Sequence, residues 1–183
     1  MLEWILFAVV CLAAASIVWS TLRLGISPMP SSRAVRTEVL ALLDPALEGE
    51  LHELGAGWGS LAFPIARHCP NARVIAHEGS LVPYVFCVLR KTLTGASNVE
   101  VRFGNFLRAD LRHAAGVIAY LWTGGMEQLA PKFEAELPAG SFVISHTFAW
   151  RGREAELQRT ATDLYRTPIY RYRIHQLPSL PPR

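Results

Sequence analysis

Cysteine is scarce in this 183-residue chain, and the shortage excludes two ways of holding a small domain together. Cys11, Cys69 and Cys87 are dispersed with no close pair, so neither a disulfide framework nor the paired spacing of a zinc site is present, and no metal is expected. Such isolated thiols fit a reducing compartment. Basic charge is also thin: 18 Lys and Arg against 15 Asp and Glu leave a net charge of +3. The arginines are scattered rather than gathered into a block interleaved with aromatics, so no nucleic-acid partner is indicated. Internal repeats and low-complexity tracts are lacking. No basic residue precedes the first apolar run, where Glu3 is the only charge, so the basic opening of a cleaved signal peptide is missing too.

Apolar residues, in contrast, make up 51% of the chain, and the mean hydropathy of +0.22 is high for a soluble domain. The excess sits at the N-terminus. From Trp4 to Leu22 there is no charged residue. As a helix rising about 1.5 Å per residue this run would span roughly 28 Å, against about 30 Å for a bilayer core. Trp4 and Trp19 stand near its ends, where aromatic belts form, and Arg23, Arg33 and Arg36 follow it. The positive-inside rule then predicts a single-pass membrane protein whose remainder lies on the cytoplasmic side. The expected organisation is a transmembrane anchor over 1–24, in contact with the lipid bilayer through 4–22, and a breaker-rich linker over 25–32. A single domain over 33–176 and a flexible tail over 177–183 complete it.

Within that domain, strand and helix patterns alternate. An amphipathic helix over Arg33 to Leu43 precedes a strand at Glu50–Leu54, a helix at Ser60–His68, a strand at Ala72–Ala76 and a helix at Ser80–Leu93 closed by Gly95. Strands at Val99–Phe103 and Gly116–Leu121, a helix at Met126–Leu137 and a strand at Ser141–Thr147 follow. Two β-prone runs, Ala161–Arg166 and Ile169–His175, predict a terminal hairpin. The order implies an α/β, doubly wound, mostly parallel sheet that binds its ligand at the strands' C-terminal ends.

At the end of the first such strand the chain reads Glu53-Leu54-Gly55-Ala56-Gly57-Trp58-Gly59. Glycines at a strand-to-helix turn allow a sharp bend and let a ligand approach the backbone. A dinucleotide fingerprint would need its third glycine at position 60, which is Ser60; the third glycine is Gly59. Without a diphosphate to cradle, the loop suits a cofactor held by its amino-acid end, with Glu53 near a cationic ammonium. A tight turn in some other α/β domain is the alternative. Glu78, followed by Gly79, stands where such sheets place a ribose-binding carboxylate, about 20 residues past the glycines. On that reading it sits at an exposed strand end and supports no core; its alternative role is a charge at a helix N-terminus.

On these residues the chain resembles the class I S-adenosylmethionine-dependent methyltransferases over roughly 26–176. It is similar in particular to small membrane-anchored relatives of the lysine methyltransferases of the mitochondrial ATP synthase c-subunit and adenine nucleotide translocase. The closer likeness rests on the anchor, Pro28-Met29-Pro30-Ser31, the Glu53–Gly59 loop, Glu78 with Pro83, Tyr84 and Phe86, Gly104-Asn105-Phe106, and the Tyr120–Met126 segment. The resemblance implies a seven-stranded sheet, S-adenosylmethionine as cofactor and S-adenosylhomocysteine as product. It implies cofactor contacts from Glu53, Gly55, Ala56, Gly57 and Gly59 at the methionine end, Glu78 and Gly79 at the ribose, and Asn105 with Phe106 at the adenine. Asn105 departs from the family's more usual Asp, and Trp58 from a small or polar residue. An acceptor pocket is expected from Tyr120, Trp122, His146 and Trp150, each of which has ordinary packing as its alternative, with no catalytic residue assigned. A lysine of a membrane protein is the implied acceptor; a small amphiphile, a lipid headgroup, or a cofactor-binding scaffold without turnover are the rivals.

Overall fold

The structure, a computed structural model, describes residues 1–25 and 27–175, so the expected 177–183 tail lies outside the described residues. The chain opens with α1 (Leu2–Leu24), a long apolar helix ended by Gly25 in the left-handed conformation, and α2 (Arg33–Leu40), capped by the Ser32 side chain. Then come β1 (Gly49–Leu54), α3 (Ala62–His68), β2 (Ala72–Glu78), α4 (Leu81–Thr94) and β3 (Val99–Phe103). After a short turn of 3-10 helix, β4 (Ala114–Ala119), α5 (Thr123–Glu136), β5 (Phe142–His146), β6 (Leu157–Thr160) and β7 (Pro168–Arg173) complete the fold.

The strands form one seven-stranded sheet in the order β3-β2-β1-β4-β5-β7-β6. The first five are parallel, and β7 runs antiparallel to both β5 and β6. The expected α/β architecture and closing hairpin are present, with one correction. Ala161–Arg166 is the hairpin's connection rather than its first strand, which is Leu157–Thr160. Asp163 decides this: its carboxylate accepts from the backbone N–H and the hydroxyl of Thr167, and Arg166 turns through φ 49°. Local side-chain bonds of this kind make a turn win over β-propensity.

Successive side chains of the strands face opposite layers. Leu51, Val74 and Ile118 pack with Val39, Phe63 and Ile65 under α2 and α3, whereas Leu54, Val117 and Ala119 pack with Leu129, Phe133 and Tyr172 under α5. Both layers are apolar, and the central strand β4 between them reads as an apolar run because both its faces are covered, whereas β1 and β2 also bury His52, Glu53, His77 and Glu78. β1, β2, β4 and β5 therefore end side by side at one rim of the sheet, and the turns leaving them build the candidate site.

Candidate functional site

The glycine loop leaves β1 with Gly55, Gly57 and Gly59 at φ 81°, 54° and 67°, the left-handed region that side chains disfavour. The backbone N–H groups of Gly55 and Ala56 both donate to the carbonyl of His77, at 3.0 and 2.9 Å, which ties the loop to β2. A Cβ on Gly59 would fall 2.6 Å from the Phe63 ring, so that glycine serves close helix packing rather than a ligand. From the other side α4 clamps the loop. The Cys87 thiol donates to the Gly57 carbonyl at 3.2 Å, and Arg90 donates to the carbonyls of Trp58 and Gly59 at 3.2 and 3.0 Å while lying 4.3 Å over Phe63. Burial pushes the Cys87 thiol up to about 12, so it stays a donor. Sequence reasoning missed both residues, because no spacing along α4 marks which of its side chains meet a loop about thirty residues earlier.

Glu78 is 4% exposed, which corrects the expectation of a free carboxylate at an exposed strand end. Its Oε2 accepts from the Gly57 N–H at 2.6 Å and its Oε1 from the Ser80 N–H at 2.7 Å. The carboxylate thus braces the loop, and each oxygen keeps further acceptor capacity. Glu53 is as deeply buried but lies beneath the loop rather than on a cavity wall. Its Oε2 has no hydrogen-bond partner among the described residues. Burial, reinforced by the nearby Glu78 carboxylate and opposed by the Ala62 N–H and Arg90, pushes Glu53 up to about 8. The folded protein therefore holds this proton after the unfolded chain has released it, and stability should fall as pH rises from the ordinary carboxylate range to about 8, then level off. Chemical denaturation of the wild type and of Glu53→Gln across pH 5 to 9 tests this. The stability difference should shift in favour of the variant as pH rises, and a difference independent of pH would show that Glu53 ionises freely.

Between these elements lies a narrow, solvent-open cleft lined by Gly55, Gly57, Glu78, Gly79, Ser80, Phe106 and Tyr120. Its remaining wall is Ser27, Pro28 and Met29, from the segment read as a linker. Trp58 explains this placement: its indole N–H donates to the Pro28 carbonyl at 2.6 Å, and its ring meets Phe86 edge-on at 5.4 Å. The backbone N–H of Ser31 donates to the Ser60 hydroxyl at 3.0 Å. The unusual tryptophan is thus the pin that fastens the linker over the loop. Asn105 is exposed beside the cleft, where its side-chain oxygen accepts from the Leu107 N–H at 2.9 Å and caps the 3-10 turn. With Gly79 and Phe103 it also faces Trp19, Ser20 and Arg23 at the end of α1.

On the β4–β5 side, Tyr120 stacks on His146 with ring centres 4.1 Å apart and planes 17° from parallel. His146 is 2% exposed, behind Tyr120, with its Nε2 3.3 Å from the Ser31 hydroxyl. Burial pulls its pKa down to about 4, leaving a neutral and weakly basic ring. Thr147 follows at φ 73°, a strained conformation for a β-branched residue and a feature that gathers at functional sites. Trp122 packs on Gly25 and Gly124. Trp150 corrects the expectation: it is a core residue against Phe133 and Tyr172, and its backbone N–H donates to the Tyr172 hydroxyl oxygen at 2.8 Å. Of the residues expected at the site, the fold brings Gly55, Gly57, Glu78, Gly79, Phe106 and Tyr120 onto one cleft. Glu53, Ala56, Gly59 and His146 lie beneath or behind it, and Asn105 lies at its side.

A family profile of the ANTKMT methyltransferase domain matches residues 53–157. Among similar proteins, a protein-lysine N-methyltransferase of Saccharolobus islandicus is 25% identical over 127 residues, 68% of this chain and 78% of that protein. An rRNA adenine N-6-methyltransferase of Streptomyces fradiae is 33% identical over 149 residues, 78% of this chain; the chain spans 45% of that protein's length. The crystal structure of an RNA methyltransferase from Salinibacter ruber in complex with S-adenosyl-L-homocysteine superposes with a TM-score of 0.73 at 26% identity. It covers 83% of this chain and 98% of that one.

Proposed function

The chain belongs to the ANTKMT methyltransferase domain family and is a class I S-adenosylmethionine-dependent methyltransferase, and we propose that it methylates a lysine of a membrane protein from a position fixed at the bilayer. Among the described residues one helix, Leu2–Arg23, is long and apolar enough to cross a membrane. In this reading residues 1–24 are the anchor, in the lipid through 4–22, residues 25–32 are the linker, whose Ser27, Pro28 and Met29 wall the cleft, and the domain over 33–176 lies on the cytoplasmic side with 177–183 as its tail.

One observation carries the reading: the cleft wall begins at Ser27, three residues after α1 ends at Leu24. Extended chain spans at most about 3.6 Å per residue, so the cleft lies within roughly 11 Å of the end of the anchor. A tether that short, pinned by Trp58, presents the site to acceptors at the membrane surface and to few others. The protein-lysine methyltransferase among the similar proteins supports lysine as the acceptor.

The residues fit the cofactor. The cradle of Gly55 and Gly57 leaves the backbone open to it, Glu78 has acceptor capacity left for two ribose hydroxyls, and Phe106 offers an apolar face to adenine. Glu53 lies beneath the loop with one oxygen unpartnered, and an ammonium seated over Gly55 and Gly57 would draw its buried carboxyl back to the charged form. When bound, S-adenosylmethionine supplies an electrophilic methyl on a sulfonium. Tyr120, held flat by His146, walls the acceptor side, and its face suits a cationic centre. Lysine's pKa of about 10.4 requires the amine to lose a proton before attack, and desolvation at a largely apolar wall favours the neutral form. His146 is too weak a base to take that proton and acts here by positioning Tyr120. Most of the rate then comes from orientation.

Membranes from cells with and without the protein test the acceptor. The expected result is one membrane protein heavier by whole methyl increments on a lysine, together with retention of the enzyme in the carbonate-washed pellet and protection of its C-terminal domain from external protease. Methyl label found only in lipid or RNA would overturn the acceptor, and release into the soluble fraction would overturn the anchor.

A further inference from the structure

α4 carries an outward face of unusual composition. Pro83 and Cys87 point into the core and Arg90 onto the glycine loop. The side chains left exposed are Leu81, Val85, Phe86, Val88, Leu89 and Leu93, with Thr92 and Thr94 beside them, and none is charged. Leu93 is 76% exposed, and even the best covered of the six, Val88, is 38% exposed. α5, the other long helix of the domain, exposes Glu127, Gln128 and Glu134 instead. The α4 residues recur at spacings of three and four and so form one stripe. A contiguous apolar stripe without a charge on a domain surface marks a contact surface.

Its position favours one occupant. α1 meets the domain chiefly through α4. In α1, Ser20 is buried and Ala13, Ser16, Ile17 and Thr21 are half-buried, again at spacings of three and four, so the end of the anchor leans on the domain with one face. The uncovered apolar sides of α1 and α4 therefore adjoin. Cations flank them: Arg23 at the end of the anchor and Lys91 in the last turn of α4. Apolar side chains rimmed by cations beside a membrane-length helix match the boundary between anionic headgroups and acyl chains.

We propose that α4 is a second membrane contact, its Leu81-to-Leu93 stripe seated in the headgroup–acyl boundary of an anionic bilayer next to the anchor. The proposal rests on the anchor reading above and deepens it. α4 touches lipid with one face and holds the glycine loop with the other, through Cys87 and Arg90, so membrane seating and the shape of the cofactor loop share one rigid element.

The test uses the full chain with Cys11→Ala, in which the two remaining native cysteines are buried. Single cysteines at Leu12→Cys, Val85→Cys, Leu89→Cys and Glu134→Cys are spin-labelled, and each protein is reconstituted into vesicles of phosphatidylcholine and phosphatidylglycerol. Collision with oxygen, which partitions into lipid, is compared with collision with a water-soluble nickel chelate. Labels at 12, 85 and 89 should favour oxygen several-fold over the label at 134. A label at 12 in lipid with those at 85 and 89 in water overturns this inference and leaves the anchor standing. A label at 12 in water overturns the anchor and this inference with it. Spin–spin broadening at 89 that vanishes on dilution with unlabelled protein identifies a second copy as the occupant and also overturns it.

Discussion

Glu78→Ala is expected to weaken S-adenosylhomocysteine binding roughly 10- to 150-fold, since hydrogen bonds to charged groups are worth about 1.5–3 kcal/mol and about 1.4 kcal/mol is a decade of affinity. Unlike a carboxylate that only meets ligand, Glu78 also holds the N–H groups of Gly57 and Ser80 in a buried setting. Two buried donors without an acceptor cost about 1–3 kcal/mol each. In a domain of this size each kcal/mol lowers the melting temperature by about 2–4 °C, so the variant should also melt several degrees lower without ligand. Glu78→Gln keeps one acceptor oxygen and should recover part of the stability while binding remains poor. Calorimetric titration paired with thermal melting separates the two roles. Full affinity with a lowered melting temperature would reduce Glu78 to a brace and move the ribose site elsewhere.

Gly57→Val is expected to abolish measurable S-adenosylhomocysteine binding and the thermal stabilisation that ligand brings through linkage. Two effects combine. At φ 54° a β-branched residue is strained by about 1–3 kcal/mol or more, and its methyls project into the cleft that Gly57 lines. Gly57→Ala divides them, because a Cβ there meets nothing nearer than the Pro28 Cα at 3.9 Å. Alanine should carry backbone strain alone and keep a reduced ligand-induced shift, whereas valine should keep none. A valine variant that is folded and shifts like the wild type would place the cofactor outside this cleft.

The comparison of sequence with structure divides along the range of the interactions. The β-α alternation was legible because strand and helix periodicities are local properties, and the two layers they imply appear as read. The loop and Glu78 were legible because a parallel sheet brings the ends of β1 and β2 together, and a spacing of about twenty residues therefore carries geometric meaning. The hairpin's first strand was misplaced because Asp163 closes a turn through its side chain, a competition that β-propensity does not register. Trp150 was misassigned because its place after β5 suits a pocket as well as a core, and Phe133, from a helix earlier in the chain, decides between them.

By itself, then, the sequence determined the sheet, the rim whose turns build the candidate site, the glycine loop with its acidic partner, and an apolar segment of membrane length. Each of these depends on neighbours along the chain or on one repeated topological unit. Only the tertiary structure decided that the linker roofs the cleft through Trp58 and Pro28, and that Cys87 and Arg90 of α4 hold the loop from behind. It alone also decided that Glu53 is buried with an unpartnered oxygen and that α4 keeps an uncharged face outward beside α1. The reason is physical: burial, desolvation and hydrogen bonding between residues about thirty or more positions apart depend on which surfaces meet in space, and no spacing along the chain encodes that.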